Sequence, residues 1–223
     1  GIIANPNCST IIMVMAFKPI YDLAKIKRVI VSTYQAVSGA GKEGIDELDA
    51  QVRDHSEGRE MTANILPSAS AEKHYPIAFN LIPQIDVFCD NLYTKEEMKM
   101  VNETKKIMED YEMRITATTI RVPVYRSHSE SVNIELEKEV DLGAMREALA
   151  KFPGVTVQDD PSKQEYPMPL YTSEKDDVYV GRLRRDESCE KSYNMWVVGD
   201  QIRKGAALNT LQIAETMIKN GWI

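Results

Sequence analysis

The chain has 223 residues, of which 43% are hydrophobic and 27% charged, with a net charge of −7. That length buries a substantial core and suits one large domain or two small ones. The acidic balance argues against a nucleic-acid surface, and the longest apolar run, residues 11–17, is too short to cross a bilayer.

Residues 1–4 read as the end of a buried strand. The motif NPNCST, residues 5–10, then leads into a helical pattern over 9–23 that Pro19 should kink or end. Cys8 thus stands at a helix mouth, where free N–H groups and the helix dipole lower a thiol's pKa and stabilise anions. The plainer reading of Cys8 is a small buried hydrophobe. The other cysteines, Cys89 and Cys189, are too widely spaced to suggest a zinc site or a disulfide framework. With no basic-led signal peptide at the start, a reducing cytoplasm is the expected setting.

Residues 28–36, RVIVSTYQA, are rich in β-branched side chains and read as a strand carrying Gln35 near its end. The turn VSGAG follows, in which Ser38, Gly39 and Gly41 allow a ligand to approach the backbone closely. It lacks the third glycine of a dinucleotide fingerprint, so an ordinary strand-to-helix turn fits as well. Residues 41–56 form a charged amphipathic helix. Residues 57–93 read as irregular, punctuated by Pro67, Pro76 and Pro83, with a short extended piece at 80–86.

Thr94 is a natural N-cap for a helix running to about 111. Glu96 and Lys99 share one face of it, and suit either a zwitterionic, anionic ligand or a weak solvated ion pair. Strands are expected over 115–124 and 131–137. Arg121 lies late in the first, with a fork that fits a carboxylate or a surface salt bridge. His128 falls in the turn between them, leaning into a cleft or serving as a plain loop residue. His55 and His74 sit in polar stretches and read as surface residues.

A short helix capped by Asp141 follows, then strands near 154–158, 177–185 and 193–199. Gln201 sits in the loop before a last helix over 204–220, stopped by Gly221. The strands are not joined by regular βαβ units. They predict an α+β fold, a mixed and mostly antiparallel sheet with helices packed on one face.

Five motifs in order, NPNCST, TYQAVSGAGKEG, EEMKM, RVPV…HSESV and GDQIRKGAALN, span essentially the whole chain. Together they resemble the aspartate-β-semialdehyde dehydrogenase family. The resemblance implies a glyceraldehyde-3-phosphate dehydrogenase-like C-terminal domain, with residues 1–223 as the catalytic and dimerisation part. It implies an N-terminal NADP-binding Rossmann domain outside this chain, toward which 204–223 would pack. The implied nucleophile is Cys8, with His128 as general acid/base and Gln35 orienting the substrate. Arg121 would bind its α-carboxylate, Glu96 its ammonium and Lys99 its phosphate. Ser38, Gly39 and Gln201 would approach the nicotinamide of NADP(H).

The implied reaction is the NADPH-dependent reductive dephosphorylation of L-aspartyl 4-phosphate to L-aspartate 4-semialdehyde through a cysteine thioester. It belongs to lysine, threonine and methionine biosynthesis, in a cytoplasmic homodimer or homotetramer, and this chain alone would not turn over. Related rivals are an N-acetyl-γ-glutamyl-phosphate reductase, whose acylated substrate nitrogen leaves Glu96 without a partner, a cysteine hydrolase, and a non-catalytic dimerisation scaffold.

Overall fold

The computed structural model describes residues Gly1–Ile223. Helix α1 (Cys8–Tyr21) is capped by Asn7, whose side chain accepts the Thr10 N–H at 3.1 Å. Pro19 falls in its last turn, where the missing N–H removes a single bond near the end, and the helix stops two residues later. Strand β1 (Ile26–Gln35) leads into a 3-10 turn, Val37–Ala40, and helix α2 (Lys42–Ser56). Helix α3 (Lys95–Ile107) opens with a reciprocal capping box between Thr94 and Glu97. Strands β2 (Arg114–Arg121) and β3 (His128–Leu136), helix α4 (Leu142–Lys151) and strand β4 (Val155–Val157) follow. The chain ends with the short α5 (Pro169–Thr172), β5 (Val178–Arg185), β6 (Ser192–Gly199), a π-helical turn at Arg203–Ala207 and α6 (Leu208–Lys219).

The sheet is six-stranded in the order β2-β1-β3-β6-β5-β4. The β1–β2 and β4–β5 pairs are parallel, and the β1–β3, β3–β6 and β5–β6 pairs antiparallel. Helices α1, α3 and α4 cover one face, and the main core, including Ile12, Phe17, Val29, Ile134 and Val180, lies between them and the sheet. The fold is the mixed α+β arrangement expected from the pattern.

Three rows cross the helix-covered face of the sheet, and they place the site. In the outermost row Arg121 of β2 pairs with Gln35 of β1, and His128 of β3 pairs with Gly199 of β6. The next row holds Thr119, Thr33, Glu130 and Val197. The third, Ala117, Val31, Val132 and Met195, is part of the core. Polar residues therefore collect at one end of an otherwise apolar face.

Several elements differ from the sequence expectations. Residues 1–4 are irregular and exposed, because no strand of the sheet pairs with them. His128 opens β3 rather than lying in a turn. Strand β6 extends to Gly199 and pairs with it, and the preceding Ser127 takes a left-handed φ of 76° that starts the strand. The irregular 57–93 segment is anchored by α2. Gln51 Oε1 accepts the N–H groups of Ile77 and Ala78 at 2.8 and 3.0 Å, and Glu47 accepts those of Asn64, Ile65 and Leu66. Helix α6 begins four residues later than expected and buries none of its own residues, exposing Leu211 and Ile218.

Candidate active site

The N-terminus of α1 points at the outermost row, and α3 fixes it there. Asn7 donates its backbone N–H to Glu103 Oε2 at 2.7 Å and its side-chain amide to Glu96 Oε1 at 2.8 Å. Glu96 and Glu103 stand two helical turns apart on α3, so one face of that helix holds the cap before Cys8. Gln35 Nε2 donates to Ser9 Oγ at 2.7 Å and to Glu96 Oε1 at 3.3 Å. Lys99 Nζ lies 3.4 Å from Glu96 Oε2 and 3.2 Å from Asp86 Oδ2. Glu96 is buried, whereas Lys99 keeps 44% of its side chain exposed, so the anion lies inside and the cation at the mouth.

Arg121 is buried and held through two carbonyls. Its Nη1 donates to Ala36 O at 2.7 Å and its Nε to Pro67 O at 3.0 Å, leaving Nη2 unused. The next backbone group serves the histidine, for the Ala36 N–H donates to His128 Nδ1 at 3.0 Å. A ring nitrogen that accepts carries no proton, so the proton of neutral His128 sits on Nε2, which is buried without a partner. Gly39 is exposed above these two side chains, and a Cβ there would lie 2.7 Å from Arg121 Nη1 and 3.2 Å from His128 Cε1. Gln201 donates to Ser38 Oγ and accepts the Ser127 N–H at 2.9 Å. Gly205, in the π-helical turn, approaches so closely that its Cβ would lie 3.0 Å from Cys8 Cβ.

The nine residues singled out from the sequence are thus linked in one connected cluster. Sequence reasoning missed Asn7, Glu103 and Gly205 as its supports. Asn7 was legible as a helix cap. Glu103 and Gly205 act across long sequence separations, and no local signal marks them.

The electrostatics overturn one expectation. Burial, and after it the Glu96 carboxylate, push the Cys8 thiol up to about 12, although Arg121 and the Ser9 N–H pull the other way. The helix-mouth argument has the right sign for its own contribution, but desolvation of the thiolate is larger. Burial, then the charge of Arg121, hold His128 well below its usual 6.5, so its ring is neutral at neutral pH. Burial lowers Arg121 to about 10 against Glu96, which leaves it cationic. At Lys99 burial pulls downward, but Glu96 and Asp86 outweigh it and the amine is raised.

The family described as semialdehyde dehydrogenase, dimerisation domain, matches residues 17–204. The chain belongs to that family. Among similar proteins, an aspartate-semialdehyde dehydrogenase of Aquifex aeolicus is 54% identical over 223 residues, 100% of this chain and 64% of that protein. One of Bacillus subtilis is 51% identical over 220 residues, 98% of this chain and 64% of that protein. A crystal structure of aspartate semialdehyde dehydrogenase II from Vibrio cholerae, complexed with ASA, superposes with a TM-score of 0.91 at 45% identity. It covers 97% of this chain and 62% of its own. The chain therefore spans a little under two thirds of these relatives. Within the dimerisation-domain family match lie eight of these nine residues, and Cys8 precedes it by nine positions.

Proposed function

We propose that this chain carries the catalytic site of an aspartate-semialdehyde dehydrogenase, which reduces L-aspartyl 4-phosphate to L-aspartate 4-semialdehyde in lysine, threonine and methionine biosynthesis. The observation that carries this reading is the charge pattern around Cys8: buried Arg121 and Glu96 inside, Lys99 at the mouth. Those three charges complement the carboxylate, ammonium and phosphate of one substrate.

Cys8 attacks the acyl carbon as the thiolate, its proton leaves with the departing phosphate toward Lys99, and a thioester remains. Arg121 orients the α-carboxylate with the part of its fork not spent on backbone carbonyls. Glu96 takes the ammonium, and Gln35 fixes the carbonyl beside the thiol. NADP(H), when bound, supplies the hydride. His128 donates a hydrogen bond from its Nε2–H to the oxygen of the reduced carbon, and collapse of the hemithioacetal oxyanion then releases the aldehyde and returns Cys8 as the thiolate, which takes a proton from solvent. The open, side-chain-free Gly39 beside Ser38 and Gln201 fits a nicotinamide ring approaching His128. The rest of the nucleotide would be held by a Rossmann domain outside this chain, against α6, and a homodimer would form through the sheet face opposite the helices, where Tyr34 and Trp196 pack together.

The test is turnover by the full-length protein. NADPH oxidation is expected with aspartyl phosphate and phosphate release in equal amount, with a Cys8 thioester trapped by mass spectrometry when NADPH is withheld. Comparable turnover of N-acetyl-γ-glutamyl phosphate, or cleavage without nicotinamide, would overturn the reading.

Gly39→Ala tests the geometry. The added methyl cannot fit unless Arg121 Nη1, which is bound to Ala36 O, moves, and it also crowds His128 Cε1. A misplacement on the scale of 1 Å costs about 100-fold. kcat/KM is therefore expected to fall by about that factor, with a lower melting temperature as Arg121 loses a buried hydrogen bond. Unchanged kinetics would show that the two side chains yield freely.

A further inference from the structure

Behind the row that carries Gln35, Arg121 and His128 lies a row that the proposed reaction does not use. Thr119, Thr33 and Glu130 stand side by side there, each with no exposed surface. Neither carboxyl oxygen of Glu130 has a hydrogen-bond partner, and neither has Thr33 Oγ1 directly opposite on β1. A bare carboxylate in such a place is among the costliest arrangements a fold can hold. The carboxyl is therefore kept as the neutral acid, and burial pushes its pKa well above the glutamate range. Glu130 sits one pleat from His128 on the same face, roughly 7 Å along the strand. A charge on it reaches Cys8 and opposes the thiolate.

We propose that Glu130 is a positioning residue of the thiol site: it works as a neutral carboxylic acid, and its ionisation turns the reactivity of Cys8 down. The inference rests on Cys8 being the nucleophile of the proposed reaction. The charged and titratable groups around the pair are Cys8 from α1, Glu96 from α3, Arg121 from β2 and His128 from β3. Strand β1 contributes Thr33 and Gln35 and strand β6 Val197 and Gly199, which do not ionise. Lys204 of the π-helical turn sends its amine away, to Asn209 and Gln212. His128 is neutral, and the bound nitrogens of Arg121 are held by Ala36 O and Pro67 O. Neither forms an ion pair with Glu130. The two buried acids are coupled, because a charge formed on Glu130 opposes the Cys8 thiolate.

The consequence is a distinctive pH profile. An isolated thiol gains reactivity tenfold per pH unit below its pKa. Across the titration of Glu130 that rise should flatten, because each new carboxylate makes the neighbouring thiolate harder to form. The experiment is alkylation of Cys8 by iodoacetamide in the full-length protein, followed by mass spectrometry from about pH 6 to about pH 10. The wild type is expected to show the inflection. Glu130→Gln, neutral and nearly isosteric, is expected to give one unbroken limb and to react roughly tenfold faster above the inflection, the equivalent of one pKa unit. Superimposable profiles, or a variant slower at every pH, would overturn the proposal.

Should Glu130→Gln fail to fold, carbon-13 titration of the wild-type glutamate carboxyls decides. Glu130 titrating at the inflection pH supports the proposal, and titration in the ordinary glutamate range overturns it. Neither measurement uses substrate. A protein with the inflection but no turnover keeps the coupling of Glu130 to the Cys8 thiol and loses the function above, and one with turnover but a straight limb does the reverse.

Discussion

Cys8→Ser is expected to lower kcat by about 10⁴-fold or more, with the fold and substrate binding retained. Losses of this order accompany removal of a nucleophile whose partners act as a unit. The two side chains are nearly the same size, and the site that holds residue 8 is built from its neighbours: the Asn7 cap bound by Glu96 and Glu103, and the Gly205 backbone against the Cβ. The difference is chemical. A hydroxyl is far harder to ionise than a thiol, and an ester accepts hydride less readily than a thioester. In the free site even the thiol is held at about 12, so roughly one cysteine in 10⁵ is ionised at pH 7. Ligand binding is therefore expected to activate it. Glu96 is, after burial, the main reason the thiol is raised, and the proposed ammonium partner neutralises that carboxylate. Alkylation of Cys8 should accordingly be slow near neutral pH and should accelerate when an amino-acid ligand occupies the cleft without covering the sulfur. Retention of more than about 1% of wild-type kcat by Cys8→Ser would remove Cys8 from the role of nucleophile. Fast alkylation of the empty site at pH 7 would show instead that burial does not dominate.

Much of this organisation is readable in the sequence, for physical reasons that can be named. Thr94 and Glu97 announce the start of α3 because a capping box is a local device spaced three residues apart. The β-branched run before Gln35 marks β1 because it alternates with the pleat. The less legible features are those set at a distance. The sign of the Cys8 shift depends on burial and on Glu96, 88 positions away, and a helix-mouth rule contains neither. The first residue of β3 is fixed by how far β6 extends. The segment after α2 is ordered without regular structure, because Glu47 and Gln51 satisfy its backbone. Glu130 lies inside the HSESV motif that drew attention to His128, but only the register shows it facing the same side, buried and alone.

His128→Asn and His128→Gln separate the two nitrogens of the ring and are expected to differ. Asparagine places its amide near the position of Nδ1, so its oxygen can still accept the Ala36 N–H that the ring accepts at 3.0 Å. It puts nothing at the position of Nε2. Glutamine reaches to the position of Nε2 with an N–H donor but leaves the buried Ala36 N–H unpaired, at a cost of about 1–3 kcal/mol. If His128 serves the reaction as a donor from Nε2, asparagine should lose about 10²–10⁴-fold in kcat at near wild-type stability. Glutamine should be the less stable variant and the more active of the two. The reverse order would mean that Nδ1 matters to the chemistry and that the Ala36 contact breaks during turnover.

The same ring sets an acid limit on stability. Its folded pKa lies well below the unfolded value of about 6.5, so below that pH the unfolded chain binds a proton that the folded ring resists. Stability is therefore expected to be full above about pH 6.5 and to fall as pH drops through the window toward the folded value. His128→Asn, which cannot titrate, should flatten that limb in a thermal-melting series. A wild-type limb that survives in the variant would assign the acid sensitivity to carboxylates instead.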